Sequence, residues 1–130
     1  MRFLLALSVA FMAVAGAALA VPTPIVETGF ETPSGNIDCN AGRNDGTKLV
    51  ACTVFTTSSR KGLKVWSMRP TGRVYFGYVM GNPATGYPKL AYGRTWTWHG
   101  FRCRSERSGL TCTNRSGHGF VLSRQSQRIF

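Results

Sequence analysis

Few side chains in this sequence could carry out acid–base chemistry. There are two histidines, His99 and His118, and five carboxylates against 16 lysines and arginines. A small basic protein can cleave a phosphodiester with such groups. One group removes a proton, a histidine returns one, and a guanidinium holds the phosphate. His118 is the first candidate, because Gly117 and Gly119 frame it and would let the backbone approach a ligand closely. His99 and Glu106 complete the candidate catalytic set, with Arg102, Arg104 or Arg124 as the phosphate clamp. The plainer reading of His118 is a loop histidine held by backbone hydrogen bonds.

Other chemistries find no support in the residue pattern. No serine sits in G-x-S-x-G, and no glycine-rich phosphate loop is present. The only aspartates are Asp38, which faces away from Cys39, and Asp45, which belongs to a turn. No carboxylate pair for glycoside hydrolysis is therefore expected. The four cysteines contain no C-x-x-C pair, so neither zinc nor another cofactor is expected. Asn114-Arg115-Ser116 matches a glycosylation acceptor, read as a chance match.

Charge points instead to binding. Arg102, Arg104, Arg107 and Arg115 lie near Trp96 and Trp98 in the sequence, a basic stripe beside rings that could meet phosphate groups and stack. Arg60, Lys61 and Lys64 form a second basic cluster. The expected partners are an anionic envelope polymer, an anionic lipid surface or an acidic protein, with nucleic acid a weaker possibility. Trp66, Tyr75, Tyr78, Tyr87 and Tyr92 are expected in core and sheet packing.

The elements that must position these groups follow from turn chemistry. Met1-Arg2, the apolar run 3–14 and Ala18-Leu19-Ala20 have the layout of a secretory signal peptide over residues 1–20, cleaved near Ala20–Val21. Cleavage removes 20 of the 130 residues and Arg2, leaving 110 residues with 15 basic and 5 acidic side chains. That is enough for one small domain. No transmembrane segment remains, and the chain is expected in the periplasm or the medium, where its cysteines oxidise. Residues 21–33, with three prolines, read as an extended arm or edge segment, and 34–130 as the single domain.

Short runs of Val, Ile, Thr and aromatics between turn residues predict an all-β fold, a small antiparallel sheet or barrel-like sandwich built from hairpins. Asp45-Gly46 suits a two-residue type I′ loop. Counting outward from Asn44 opposite Thr47 places Cys39 opposite Cys52 at a non-hydrogen-bonded pair, about 4.5 Å apart at Cα and within disulfide reach. Pro70-Thr71-Gly72 joins Leu63–Met68 to Val74–Met80. A four-residue loop, Glu106–Gly109, brings Cys103 opposite Cys112, with Gly100 a bulge that turns Trp96 and Trp98 inward. A last strand runs from Gly119 to about Ser123. The domain is thus stapled by two local disulfides, Cys39–Cys52 and Cys103–Cys112. Each half carries one cysteine hairpin, but little outside the cysteines matches between them.

Phe30-Glu31-Thr32-Pro33-Ser34-Gly35-Asn36-Ile37-Asp38-Cys39 resembles the opening motif of a family of small exported bacterial domains of unknown function. Leu110-Thr111-Cys112-Thr113-Asn114, with Gly117-His118-Gly119-Phe120 and Leu122-Ser123-Arg124, resembles its closing motif. The resemblance implies an exported, cysteine-paired domain and brings no activity, substrate or cofactor. The expected function is a non-enzymatic envelope or extracellular binding or structural module with a basic surface. The alternatives are the phosphodiester hydrolase built on His118 and a protein inhibitor presenting the disulfide-held loop Glu106–Gly109.

Overall fold

The computed structural model describes residues 15–19, 25–79 and 85–130. The expected leader and its cleavage point lie outside the described residues, apart from 15–19, which are exposed and without regular structure. Ten strands follow: β1 (Ile25–Glu31), β2 (Ile37–Asn44), β3 (Thr47–Ser59), β4 (Gly62–Met68), β5 (Tyr75–Val79), β6 (Thr95–Trp98), β7 (Phe101–Glu106), β8 (Gly109–Thr113), β9 (Gly119–Leu122) and β10 (Gln127–Ile129). They form two antiparallel meanders, β1-β2-β3-β4-β5 and β6-β7-β8-β9-β10. No helix among the described residues is long and apolar enough to cross a membrane.

The Asp45-Gly46 hairpin forms in the expected register, with Asn44 opposite Thr47 and Cys39 opposite Cys52. Both central residues have positive φ, 50° and 73°, as a type I′ turn requires. The Cys39–Cys52 and Cys103–Cys112 disulfides both form, each with Cα atoms 4.1 Å apart. Every cysteine side chain is buried, and the Sγ atoms of Cys39, Cys52 and Cys112 lie within 4.8 Å of one another. The two bridges thus meet at the centre of the core, each contributing about 2–3 kcal/mol by the loop-closure estimate.

Around them the sheets repeat one pattern. Across the first sheet a single row of paired residues reads Phe30, Cys39, Cys52, Trp66, Phe76. Across the second it reads Trp96, Cys103, Cys112, Phe120, Ile129. Residues two positions away on the same faces, such as Ile37, Val50 and Met68 against Phe101, Leu110 and Leu122, fill the same core. Phe30 packs on Trp96 with ring centroids 5.1 Å apart, joining β1 to β6.

Residues 25–31, within the segment read as an arm or edge, form β1, the edge strand of the first sheet. Two expectations are corrected. The β7–β8 loop has two residues, Arg107-Ser108, because Glu106 pairs with Gly109. Gly100 is no bulge: His99 and Gly100, both at positive φ (45° and 87°), are the two-residue turn between β6 and β7. Met80, expected at the end of the second hairpin, lies outside the described residues.

The sheets are also tied at their loops. Asn114 is buried, and its Nδ2 donates to Arg69 O (3.0 Å) and Gly72 O (2.8 Å) on the β4–β5 turn. Its Oδ1 accepts from the backbone N–H groups of Ser116 (3.0 Å) and His118 (3.2 Å). The amide is fully engaged, which leaves no site for a glycan there. Replacing Asn114 with Ala strands these buried partners and is expected to destabilise the fold by about 2–4 kcal/mol in chemical denaturation. An effect within the surface-substitution range of about 0.5 kcal/mol would show that the contact carries no weight.

Candidate anion-binding surface

Residues expected to act together separate into different places. Arg102 and Arg104 share the exposed outer face of β7, opposite Thr113 and Thr111. Arg104 Nε donates to Glu106 Oε1 at 2.8 Å, so one of the two charges is already answered. Arg115 sits beyond β8, where its guanidinium donates to His99 O at 3.3 Å. Trp96 and Trp98 pair with Cys103 and Phe101, on the opposite face from Arg102 and Arg104. Trp98 stacks on Phe101 with centroids 5.9 Å apart. Strand alternation puts the charges of Arg102 and Arg104 in water and turns the indoles inward, as expected of Trp96 and Trp98, so the arginines and the rings occupy different faces of the second sheet.

The acid–base candidates do not share a cleft. His118 is half-buried in a groove of about 460 Å³ with Arg73, Val74, Ile129 and Phe130, and no Asp or Glu side chain lines it among the described residues. Glu106 lines a different cleft with Arg107 and Arg124. His99 occupies an exposed turn tip, its ring edge-on to Trp98 at 4.7 Å.

Basic and aromatic groups do converge on β4 and β5. The β3–β4 turn, Arg60-Lys61 followed by Gly62 at φ 104°, projects Lys61 to the β5 side. Lys61 Nζ lies 5.7 Å from the Tyr78 ring centroid, and Lys64 Nζ 5.8 Å from that of Phe76. The Arg69 guanidinium lies 5.2 Å from the Tyr75 ring centroid. Phe76 continues the row from buried Trp66 (5.5 Å) and meets Tyr78 edge-on (5.4 Å). Tyr75, Phe76 and Tyr78 are 48%, 48% and 41% exposed. Of the rings expected in core and sheet packing, Trp66 is buried, whereas Tyr75, Tyr78 and Tyr92 (39% exposed) lie at the surface.

The charge distribution favours the same place. All five acids lie on β1, β2, the β2–β3 turn and β7, whereas residues 47–79 carry six basic side chains and no acid. A surface of one sign raises the local concentration of the opposite charge. The sequence contained the Arg60, Lys61 and Lys64 cluster, but the rings beside it come from β5 and are joined to it only by sheet pairing.

A carboxylate pair missed in the sequence lies on the outer face of the first sheet, where Asp38 sits directly opposite Glu31. Asp38 is only 2% exposed. Burial, and then the charge of Glu31, push its carboxyl from 3.8 up to about 6. Thr53 on β3 is its other cross-strand neighbour, and Lys89 lies beside Glu31.

Residues 79–130, which contain the whole second sheet and the closing motif, match the model of a family of unknown function (DUF6636). The opening motif lies outside that match. No curated protein and no solved structure matches the chain.

The raised Asp38 carboxyl gives a signed prediction. Between about pH 4 and pH 6 the folded protein holds a proton that the unfolded chain releases, so this group's stabilising contribution is lost as pH rises. Asp38→Asn should remove that decline and exceed the wild type above about pH 6 by on the order of 1–3 kcal/mol. Denaturation midpoints of both proteins across this window check it, and parallel curves would refute it.

Proposed function

We propose that this chain is an exported, non-enzymatic module that holds an anionic polymer of the cell envelope along the basic, aromatic edge formed by β5 and the adjoining β4. The observation that carries the reading is the placing of Lys61 and Lys64 against the exposed rings Tyr78 and Phe76, which share one face of β5, with Arg69 against Tyr75 on the other face of the same edge strand. The cations meet the polymer's charges, and the rings offer flat apolar surface to its sugar or base units. Arg73, exposed between the β4–β5 turn and β5, extends the same charge.

Two further features support export and binding over turnover. Two disulfides and no free cysteine among the described residues suit a chain that matures in an oxidising compartment. The apolar start of the chain and its A-x-A site supply the route. His118, Glu106 and His99 stand apart, so no nucleophile–base constellation accompanies the basic face.

Binding through four cations releases counterions. If the polymer behaves like a single strand, the slope of log affinity on log salt is roughly −3, a loss of about 50-fold between about 50 mM and about 200 mM salt. Retention on an immobilised sulfated dextran, read against salt, tests this. The double variant Lys61→Ala, Lys64→Ala should make the slope shallower by roughly 1.4, whereas Arg102→Ala, Arg104→Ala should leave it unchanged. Salt-independent retention, or equal losses from both pairs, would overturn the reading.

A further inference from the structure

A second polar site lies at one end of the sandwich, where three connections meet: the β1–β2 loop, the β7–β8 turn and the β9–β10 turn. Together with Tyr92 they enclose a cleft of about 230 Å³. That is below the roughly 300–1,000 Å³ of pockets for drug-sized ligands, and suits a molecule of about one ring.

The β1–β2 loop is built to hold its shape. Thr32 Oγ1 accepts from Ile37 N–H (3.2 Å) and donates to Ile37 O (3.3 Å), and Gly35 turns the chain at φ 69°. This bracing buries Asn36, which is 7% exposed. Its backbone is engaged: the N–H donates to Ser34 Oγ (3.3 Å) and the carbonyl accepts from Phe55 N–H (2.9 Å). Its side-chain Nδ2, however, is buried and has no hydrogen-bond partner among the described residues. A buried orphan donor costs about 1–3 kcal/mol, so such a group is satisfied by an ordered water, an ion or a ligand.

The charged groups in the lining are two guanidiniums and one carboxylate. Arg107 lies over the Tyr92 ring, 5.0 Å from its centroid, so its planar fork is oriented before any ligand arrives. Arg124 comes from the β9–β10 turn, which Ser123 braces through two hydrogen bonds to Ser126. Neither arginine is in an ion pair among the described residues, and Glu106 is held by Arg104 at 2.8 Å. The cleft thus keeps unanswered positive charge with serine hydroxyls around it, and the unsatisfied Asn36 amide is closed off in its wall.

We infer that this cleft binds a small sugar bearing an oxyanion group, a sugar acid or a sugar phosphate. Its carboxylate or phosphate lies between Arg107 and Arg124, and its hydroxyls meet the serine side chains of the lining, Ser34, Ser108 and Ser123, beside Asn36. Two guanidiniums fit either oxyanion, because both present paired oxygens to the planar fork. The site shares no residue with the β4–β5 face, so its occupancy is independent of polymer binding.

Titration of the oxidised, isotope-labelled protein with glucuronate, glucose 6-phosphate, inorganic phosphate and glucose tests the inference by NMR. Glucuronate or glucose 6-phosphate should give saturable shifts at the side chains of Asn36, Arg107 and Arg124. Arg107→Ala and Arg124→Ala, at exposed turn positions, should each weaken binding by about tenfold or more. Lys61→Ala, Lys64→Ala should leave these shifts in place. If Asn36→Ala impairs folding, the two arginine variants still decide the matter. No saturable shift with either acidic sugar would overturn the inference. So would equal affinity for glucose, or for inorganic phosphate and glucose 6-phosphate.

Discussion

The structure turns on two disulfides meeting in the middle of a small core. Each ties the two strands flanking its hairpin turn at inward-facing positions, and together they occupy the centre of the space between the sheets. Slipping either hairpin by one residue would swing its cysteines, and every side chain in phase with them, to the opposite face. The bridges forbid that slip. They therefore fix the register of both central strand pairs, and through the ladders the rows from Phe30 to Phe76 and from Trp96 to Ile129.

What could be read in advance followed from how locally each feature is specified. Asp45-Gly46 is a turn signal with one dominant geometry, so the register of β2 and β3 could be counted outward from it, disulfide included. The β7–β8 hairpin came out with the correct pairing despite a loop assigned as four residues, because widening the loop symmetrically leaves the register unchanged. His99-Gly100 was missed as a turn because a histidine at positive φ is uncommon, which made Gly100 alone look like a bulge. The juxtapositions that matter for the surface were beyond reach. Asp38 meets Glu31 only once β1 pairs with β2, and Lys61 and Lys64 meet Tyr78 and Phe76 only once β4 pairs with β5. The indoles of Trp96 and Trp98 lie near arginines in sequence yet face the other way, a direct effect of the two-residue period.

The two flanks of the sandwich differ for a physical reason. On the β1–β6 flank, Phe30 packs on Trp96, and the connection between the sheets runs beside β1: Glu31 N–H donates to Pro88 O at 3.0 Å, and Leu90 N–H to Glu31 O at 2.8 Å. On the β5–β10 flank the rows end in residues exposed to water, Phe76 at 48% and Ile129 at 44%. An edge strand left with exposed rings would favour association with other chains unless something discourages it. Lysines and arginines serve that purpose on edges. Here Lys61, Lys64, Arg69 and Arg73 surround β5 and residues 47–79 contain no Asp or Glu, so the same charges that keep such an edge from pairing make it attractive to polyanions.

The repeated pattern also separates framework from specialisation. Inward positions that correspond between the sheets are apolar in both wherever they touch the disulfides: Ile37 and Phe101, Val50 and Leu110, Trp66 and Phe120, Met68 and Leu122. On the three inner strands they diverge in character at three correspondences: Ala41 becomes Ser105, Val54 becomes Asn114, and Lys64 becomes His118. Asn114 accounts for its own difference, because its amide ties the second sheet to the β4–β5 turn, which adjoins the basic face. His118 follows from it, since its backbone is bonded to Asn114 on both sides, through its N–H (3.2 Å) and its carbonyl (2.9 Å). At the same place in the first sheet, Lys64 has no such loop to serve and lies beside Phe76 instead. One architecture used twice thus yields a locking end in one sheet and a charged, ring-bearing end in the other, and the lock holds the turn from which the charged surface begins.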